Sequence, residues 1–112
     1  MGEEEGSSRP RLDKIIHERA RLIILAYLAS STSASVSFPE LREKLELTAG
    51  NLSIQLRTLA GAGYVKIAKS FVENRPNTSV SLSAKGGRAL NEYLREMELL
   101  MGKLKPRSGR KD

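Results

Sequence analysis

Between Leu12 and Ser30 the apolar residues Leu12, Ile15, Ile16, Ala20, Ile23, Ile24, Tyr27 and Leu28 recur at three- and four-residue steps, with Lys14, Glu18, Arg19 and Arg21 between them. That spacing gathers the apolar set on one side of a helix and predicts a first amphipathic helix. The run Ser30-Ser-Thr-Ser-Ala-Ser35 ends it, because clustered hydroxyl side chains compete for backbone hydrogen bonds. Val36 is a candidate for a short strand. Ser37-Phe38-Pro39-Glu40 has the capping-box pattern, in which a serine oxygen takes an early helix amide and a glutamate reaches back. It opens a short second helix whose inward face is Phe38, Leu41 and Leu45. A new cap, Thr48, follows directly after Glu46-Leu47, and two helices joined this closely predict a helix-turn-helix.

The third helix, Thr48 to Ala62, places Leu52, Leu56 and Leu59 on one side at about 100° per residue. Gly50, Asn51, Ile54, Arg57 and Thr58 fall on the other, with Ser53 and Gln55 flanking. Ile54 in the middle of a polar surface suits a thymine methyl in a major groove; it equally suits a satellite contact beneath a following hairpin. Gly63 ends the helix as C′ glycines do. Tyr64 to Phe71 and Thr78 to Leu82 alternate as strands, with the turn formers Val72 to Asn77 between them, so a β-hairpin with Arg75 near its tip is expected. Ser83 caps a last helix carrying the stripe Leu90, Tyr93, Leu94, Met97, Leu100, Met101 and Leu104. The stripe is long for so small a domain. Part of it is expected to meet a second copy of the chain, the alternative being that it folds back on the first helix.

Composition narrows the function. The chain has 112 residues and a formal net charge of +6, which points to a polyanionic partner and to one small domain. Residues 1–10 (MGEEEGSSRP) read as a disordered leader, 103–112 (KLKPRSGRKD) as a basic flexible tail, and 11–102 as the folded unit. With no cysteine, thiolate metal sites and cysteine nucleophiles are excluded. His17 stands alone and builds no metal site by itself, so neither metal nor cofactor is expected. The longest apolar run, Leu22 to Ala29, falls far short of the roughly twenty residues of a bilayer span, and the acidic start does not suit a secretory signal. A cytoplasmic protein without membrane contact is expected. Nothing suggests an enzyme: there are no paired carboxylates, no serine and histidine constellation and no glycine-rich phosphate loop.

The order of helix, short helix, helix, hairpin and long helix resembles the winged helix-turn-helix regulators of the MarR and ArsR type. The resemblance covers roughly residues 11–100. It is carried by Leu47-Thr48 through Asn51-Leu52-Ser53 into Leu56, then Ala62-Gly63-Tyr64-Val65, then Arg75-Pro76 before the second wing strand. The implied fold is mainly α with a small β-hairpin, a winged helix-turn-helix with a C-terminal dimerisation helix. The resemblance implies a regulator that binds double-stranded DNA as a homodimer, most simply a repressor. It puts Thr48, Asn51, Ser53, Ile54, Gln55, Arg57 and Thr58 on the recognition helix and Lys69, Arg75 and Asn77 on the wing. The expected dimer interface combines Ile15 and Ile16 with Leu90, Tyr93, Leu94, Met97, Leu100 and Met101. A small-molecule effector that changes the angle between the two halves also fits the resemblance, and no residue pattern specifies its chemistry. Two features depart from the group: the metal-sensing cysteines of the ArsR type are missing, and Glu73 and Asn74 occupy a wing where more basic tips are common.

Simpler readings stand beside these. Arg57 and Arg75 could be solvated surface arginines, Asn51 could only tune the helix start, and His17 could be exposed or bonded at the interface. The rival function is a winged-helix module that binds another protein within a transcription or RNA-processing assembly. Between positions 48 and 89, however, Arg57, Lys66, Lys69, Arg75, Lys85 and Arg88 stand against the single acid Glu73, a balance that favours nucleic acid.

Overall fold

The computed structural model describes residues 11–104; residues 1–10, expected as a leader, and 105–112, most of the tail expected from 103, lie outside the described residues, while Lys103 still belongs to the last helix. The elements are α1 (Arg19–Ser30), β1 (Val36–Ser37), α2 (Phe38–Leu45), α3 (Ala49–Gly61), β2 (Val65–Val72), β3 (Arg75–Leu82) and α4 (Ala84–Lys103). They form a winged helix: helices around one core, with a small antiparallel sheet in the order β1-β3-β2.

The first helix begins later than its apolar spacing predicts. The Asp13 carboxylate accepts from the Ile15 and Ile16 amides at 2.8 and 3.4 Å, and the His17 amide bonds the Asp13 carbonyl at 2.8 Å. A single turn closes there. Glu18 then adopts extended backbone (φ −154°) and caps α1 by accepting from the Arg21 amide at 3.0 Å. Ile16 is nevertheless fully buried, with Leu12 and Ile15 packed beside it. The periodicity is real as a burial pattern, and the two carboxylates divide the backbone beneath it.

Ser37 and Thr48 cap α2 and α3 as expected, accepting from the Glu40 and Asn51 amides at 3.2 and 3.0 Å. Only half of the capping box forms, because the Glu40 carboxylate instead accepts from the Tyr27 hydroxyl at 2.6 Å. Between the helices Glu46 turns left-handed (φ 54°) and the Leu47 amide returns to the Arg42 carbonyl at 3.1 Å, a Schellman-type stop. Leu47 is buried as the chain turns, which sets α3 across α2.

The wing is longer and its turn tighter than the sequence suggests. The pairing runs from Val65↔Leu82 out to Val72↔Arg75, leaving Glu73 and Asn74 as the turn, both at positive φ (53° and 63°). That is a type I′ geometry, which follows strand twist. Arg75 and Pro76 therefore belong to the strand. Pro76 lies opposite Phe71, one pair beyond the closing pair, where its nitrogen faces away from β2. β1 pairs only with Val80 and Ser79, so the missing N–H breaks no ladder bond.

Ile16, Ile24, Leu25, Leu41, Leu52, Leu59 and Val80 are the fully buried centre of the core. At its edge the start of α4 presses on the start of the wing. The Ser83 amide donates to the Tyr64 carbonyl at 3.0 Å, its hydroxyl donates to the Gly63 carbonyl at 2.6 Å, and Gly86 is buried against the Tyr64 backbone. A Cβ on Gly86 would collide with the Tyr64 carbonyl oxygen and lie 2.8 Å from its carbon. At Gly87 a Cβ would meet only a Leu82 methyl at 3.7 Å. Gly86→Ala is expected to destabilise by about 1–3 kcal/mol, since the obstructing atoms are backbone and cannot step aside. Gly87→Ala should be neutral or stabilising by up to about 1 kcal/mol through helix propensity. Urea unfolding of both variants checks the pair.

The Tyr64 hydroxyl donates to the Asp13 carboxylate at 2.5 Å and ties the N-terminal turn to the wing base. Burial, reinforced by this bond, pushes the phenol from 10.0 up to about 12. The folded state holds a proton that the unfolded chain releases near pH 10, so stability is intact below that pH and falls as pH rises towards about 12. Unfolding midpoints across this window should decline, and decline less in Tyr64→Phe. Tyr27 and Tyr93, raised in the same direction, account for the remainder.

Candidate nucleic-acid interface

Leu52, Leu56 and Leu59 bury one side of α3 and leave Asn51, Ser53, Ile54 and Arg57 exposed on the other. Ile54 keeps 55% of its surface in solvent, so it is not tucked under the wing. The remaining recognition-helix candidates have their polar groups engaged within the chain. Thr48 serves as the cap, and the Thr58 hydroxyl donates back to the Ile54 carbonyl at 3.3 Å. Half-buried Gln55 accepts from Arg21 Nη1 at 2.7 Å and donates to Asn51 Oδ1 at 2.9 Å. No acidic residue stands in the first turn of α3, so nothing there opposes a phosphate.

The wing candidates divide between two faces. Because partners across the hairpin share a face, Ile67 with Val80 and Lys69 with Thr78 turn towards α3, while Ser70 with Asn77 and Val72 with Arg75 turn away. Lys69 thus meets Arg57 across a groove of about 280 Å³, together with Ser53, Ile67 and Thr78 and an apolar floor including Phe38 and Leu56. Arg75 and Asn77 are not part of it. Arg75 stands near the wing tip, at the first paired position, while the turn itself is made by Glu73 and Asn74 and so carries no basic residue. Among the described residues none of Arg57, Lys69 and Arg75 has an ion-pair partner. Phe71 and Val72, 74% and 54% exposed, make the outer wing more apolar than its basic residues suggested.

The expected dimer-interface set also divides. Ile16, Leu90 and Tyr93 are buried within the chain's own core and have no surface to offer a partner, a correction that for Leu90 and Tyr93 follows from α4 packing its first turns on α1. The Tyr93 hydroxyl shares a 2.7 Å hydrogen bond with His17 Nδ1, which gives the lone histidine a partner within its own chain. Ile15, Met97 and Leu100 are half-buried, while Leu94, Met101 and Leu104 are exposed along the outer half of α4. Among the described residues no helix is long and apolar enough to cross a membrane.

Arg21 was missed by sequence reasoning, where it is one of several charges spaced between apolar positions of α1. Its Nε donates to the Ile15 carbonyl at 2.5 Å while its other arm holds Gln55, 34 positions away. No local pattern signals such a contact. Gly86, which no sequence pattern singles out, is the close approach that seats the wing.

Comparison with known proteins agrees with this architecture. The family model of the winged helix DNA-binding domain matches residues 20–101. An uncharacterized protein of Methanocaldococcus jannaschii is 34% identical over 84 residues, covering 75% of this chain and 89% of that protein. Among solved structures, a transcriptional regulator homologue from Pyrococcus horikoshii OT3 superposes with a TM-score of 0.75 at 26% identity, covering 93% of this chain and 96% of the other. A transcriptional regulator from Sulfolobus solfataricus shares the fold at a TM-score of 0.64 and 17% identity, over 83% of this chain and 65% of its own. The fold, the exposed face of α3 and the family match agree: the chain belongs to the winged helix DNA-binding domain family.

Proposed function

We propose that the chain is a cytoplasmic transcriptional regulator that binds double-stranded DNA as a homodimer and represses by occluding a promoter. The observation that carries this reading is the groove in which Arg57 of α3 and Lys69 of the wing face each other, with no acid among its lining residues. A duplex entering there meets cations from two elements at once. In the proposed mode α3 lies in the major groove with Asn51, Ser53, Ile54 and Arg57 at base edges. The wing follows the neighbouring backbone, and Lys69 and Arg75 reach phosphates from opposite faces of the hairpin. The net charge of +6 adds attraction that salt screens.

Support for the homodimer comes from the outer half of α4. Leu94, Met97, Met101 and Leu104 continue the line of the buried Leu90 beyond the point where the domain covers it. Two copies joined there would present two α3 helices to successive major grooves, roughly 34 Å apart, on an inverted repeat. An effector that changed the angle between the copies would misplace the helices and release the duplex. No reaction is part of this proposal.

Selection from a randomised duplex library at two salt concentrations tests the reading, with a spaced inverted repeat expected. Arg57→Ala should cost about 1–3 kcal/mol of binding to that site and relax one base position. Arg75→Ala should weaken all sequences alike and lower the salt slope by about 1. Absence of binding at either salt would overturn the proposal in favour of a protein-binding module. Leu94→Glu combined with Met101→Glu, both at exposed positions, should give folded monomers in sedimentation; a persisting dimer would place the interface elsewhere.

A further inference from the structure

We infer that Arg21, on α1, determines which base the recognition helix reads, by fixing the polarity of the Asn51 amide. The inference rests on the DNA-binding reading of α3 given above. The Arg21 guanidinium is anchored at two points, through Nε to the Ile15 carbonyl at 2.5 Å and through Nη1 to Gln55 Oε1 at 2.7 Å. A guanidinium carries donors and no acceptor, so the end of the Gln55 amide that faces it must be the oxygen. Gln55 Nε2 is thereby turned towards Asn51 and donates to Oδ1 at 2.9 Å. A donor arriving there requires an oxygen, so Asn51 turns Oδ1 back towards Gln55 and leaves the two N–H groups of Nδ2 as its outward end.

Asn51 is exposed in the first turn of α3, where recognition helices reach base edges. An unconstrained asparagine reads adenine with both ends of its amide, accepting from N6 and donating to N7. Here the acceptor end is turned along the helix towards Gln55, which takes one of its two lone pairs and directs the oxygen away from the base. Two outward donors match guanine, which offers N7 and O6 as adjacent acceptors. The three side chains form a relay of fixed polarity: donor-only Arg21, then Gln55, then a donor-presenting Asn51. Arg21 is a positioning residue in this scheme and contacts no base itself.

The test is library selection with the full chain, comparing wild type with Asn51→Ala, Arg21→Met and Gln55→Glu, each variant checked for folding by its thermal melt. Asn51→Ala identifies the position in question as the one whose preference collapses. There the wild type should favour guanine over adenine by about tenfold. In Arg21→Met the Gln55 amide is free to rotate, and guanine and adenine should approach parity at that position alone. In Gln55→Glu the carboxylate still accepts from Arg21 and has no donor for Asn51. The Asn51 amide then turns over, donates to the carboxylate and presents Oδ1. The preferred base should shift to one that offers a donor, adenine through N6 or cytosine through N4.

A purely structural role for Arg21 would lower melting temperature and affinity across all sequences without reordering bases at one position. An unchanged guanine preference in both Arg21→Met and Gln55→Glu would overturn the inference and leave the DNA-binding reading standing. Failure of the wild type to enrich any motif would overturn that reading itself. Should Arg21→Met fail to fold, Gln55→Glu decides alone.

Discussion

The relative placement of recognition helix and wing depends on how the chain passes through Gly63 and Tyr64. Gly63 takes positive φ (82°), and the Tyr64 amide returns to the Leu59 carbonyl at 2.9 Å, which stops α3 and redirects the backbone into β2. α4 and the N-terminal turn then fasten the same two residues. The Tyr64 carbonyl receives the Ser83 amide, its backbone lies against Gly86, its ring lies under Lys85 Nζ at 5.9 Å, and its hydroxyl reaches Asp13. Two segments distant in sequence, the start of α4 and the N-terminal turn, thus converge on the residue where α3 gives way to the wing. A shift of that unit would move the hairpin as a whole, because only Val65 and Val80 among the hairpin residues are buried deeper in the core.

α3 is held differently. Leu52 and Leu59 are fully buried and Leu56 nearly so, and the helix is capped at its start by Thr48. Burying a leucine side chain is worth roughly 1.5–3 kcal/mol, so these residues outweigh any single polar contact on the opposite side. The outer face is therefore free to vary its chemistry without loss of the fold. That division explains why Ile54 can remain exposed and why Asn51 and Gln55 can bond each other along the helix.

The legible part of this architecture is the part with local causes. Ser37, Thr48 and Ser83 announce three helix starts because a cap bonds only two or three residues ahead, and the leucine spacing announces the buried side of α3. Local signals failed where they report something other than backbone bonding. The apolar spacing from Leu12 to Ile16 records burial, and a helix was expected where two carboxylates make a turn and then a cap. Arg75-Pro76-Asn77 reads as a loop by composition, yet strand pairing continues through it because Pro76 occupies a position where the ladder needs no donor. The candidate site residues Asn51, Ser53, Ile54 and Arg57 could be placed on the exposed side of α3 from helix angle alone. Their relation to the wing could not, because which wing residues face them depends on a strand register set at the turn. Arg21 and Gly86 act through contacts that no short pattern encodes.

Rigidity in this domain is unevenly distributed, and the distribution bears on how it would meet a duplex. α3 is fixed by the core along one whole side. The hairpin is fixed only at its base, and from Lys66 to Pro76 every residue is exposed. A segment with so few buried contacts opens at lower free-energy cost than the core, so it carries more of the ordering cost when a partner holds it. In the proposed binding mode, contacts from α3 would act through a preorganised scaffold and could discriminate between bases, whereas wing contacts would first have to offset the ordering of the hairpin. Lys69 stands apart from Arg75 in this respect. It lies closer to the anchored base and opposite Arg57, where the core already limits its neighbours, and in the proposed mode it would join the ordered part of the interface.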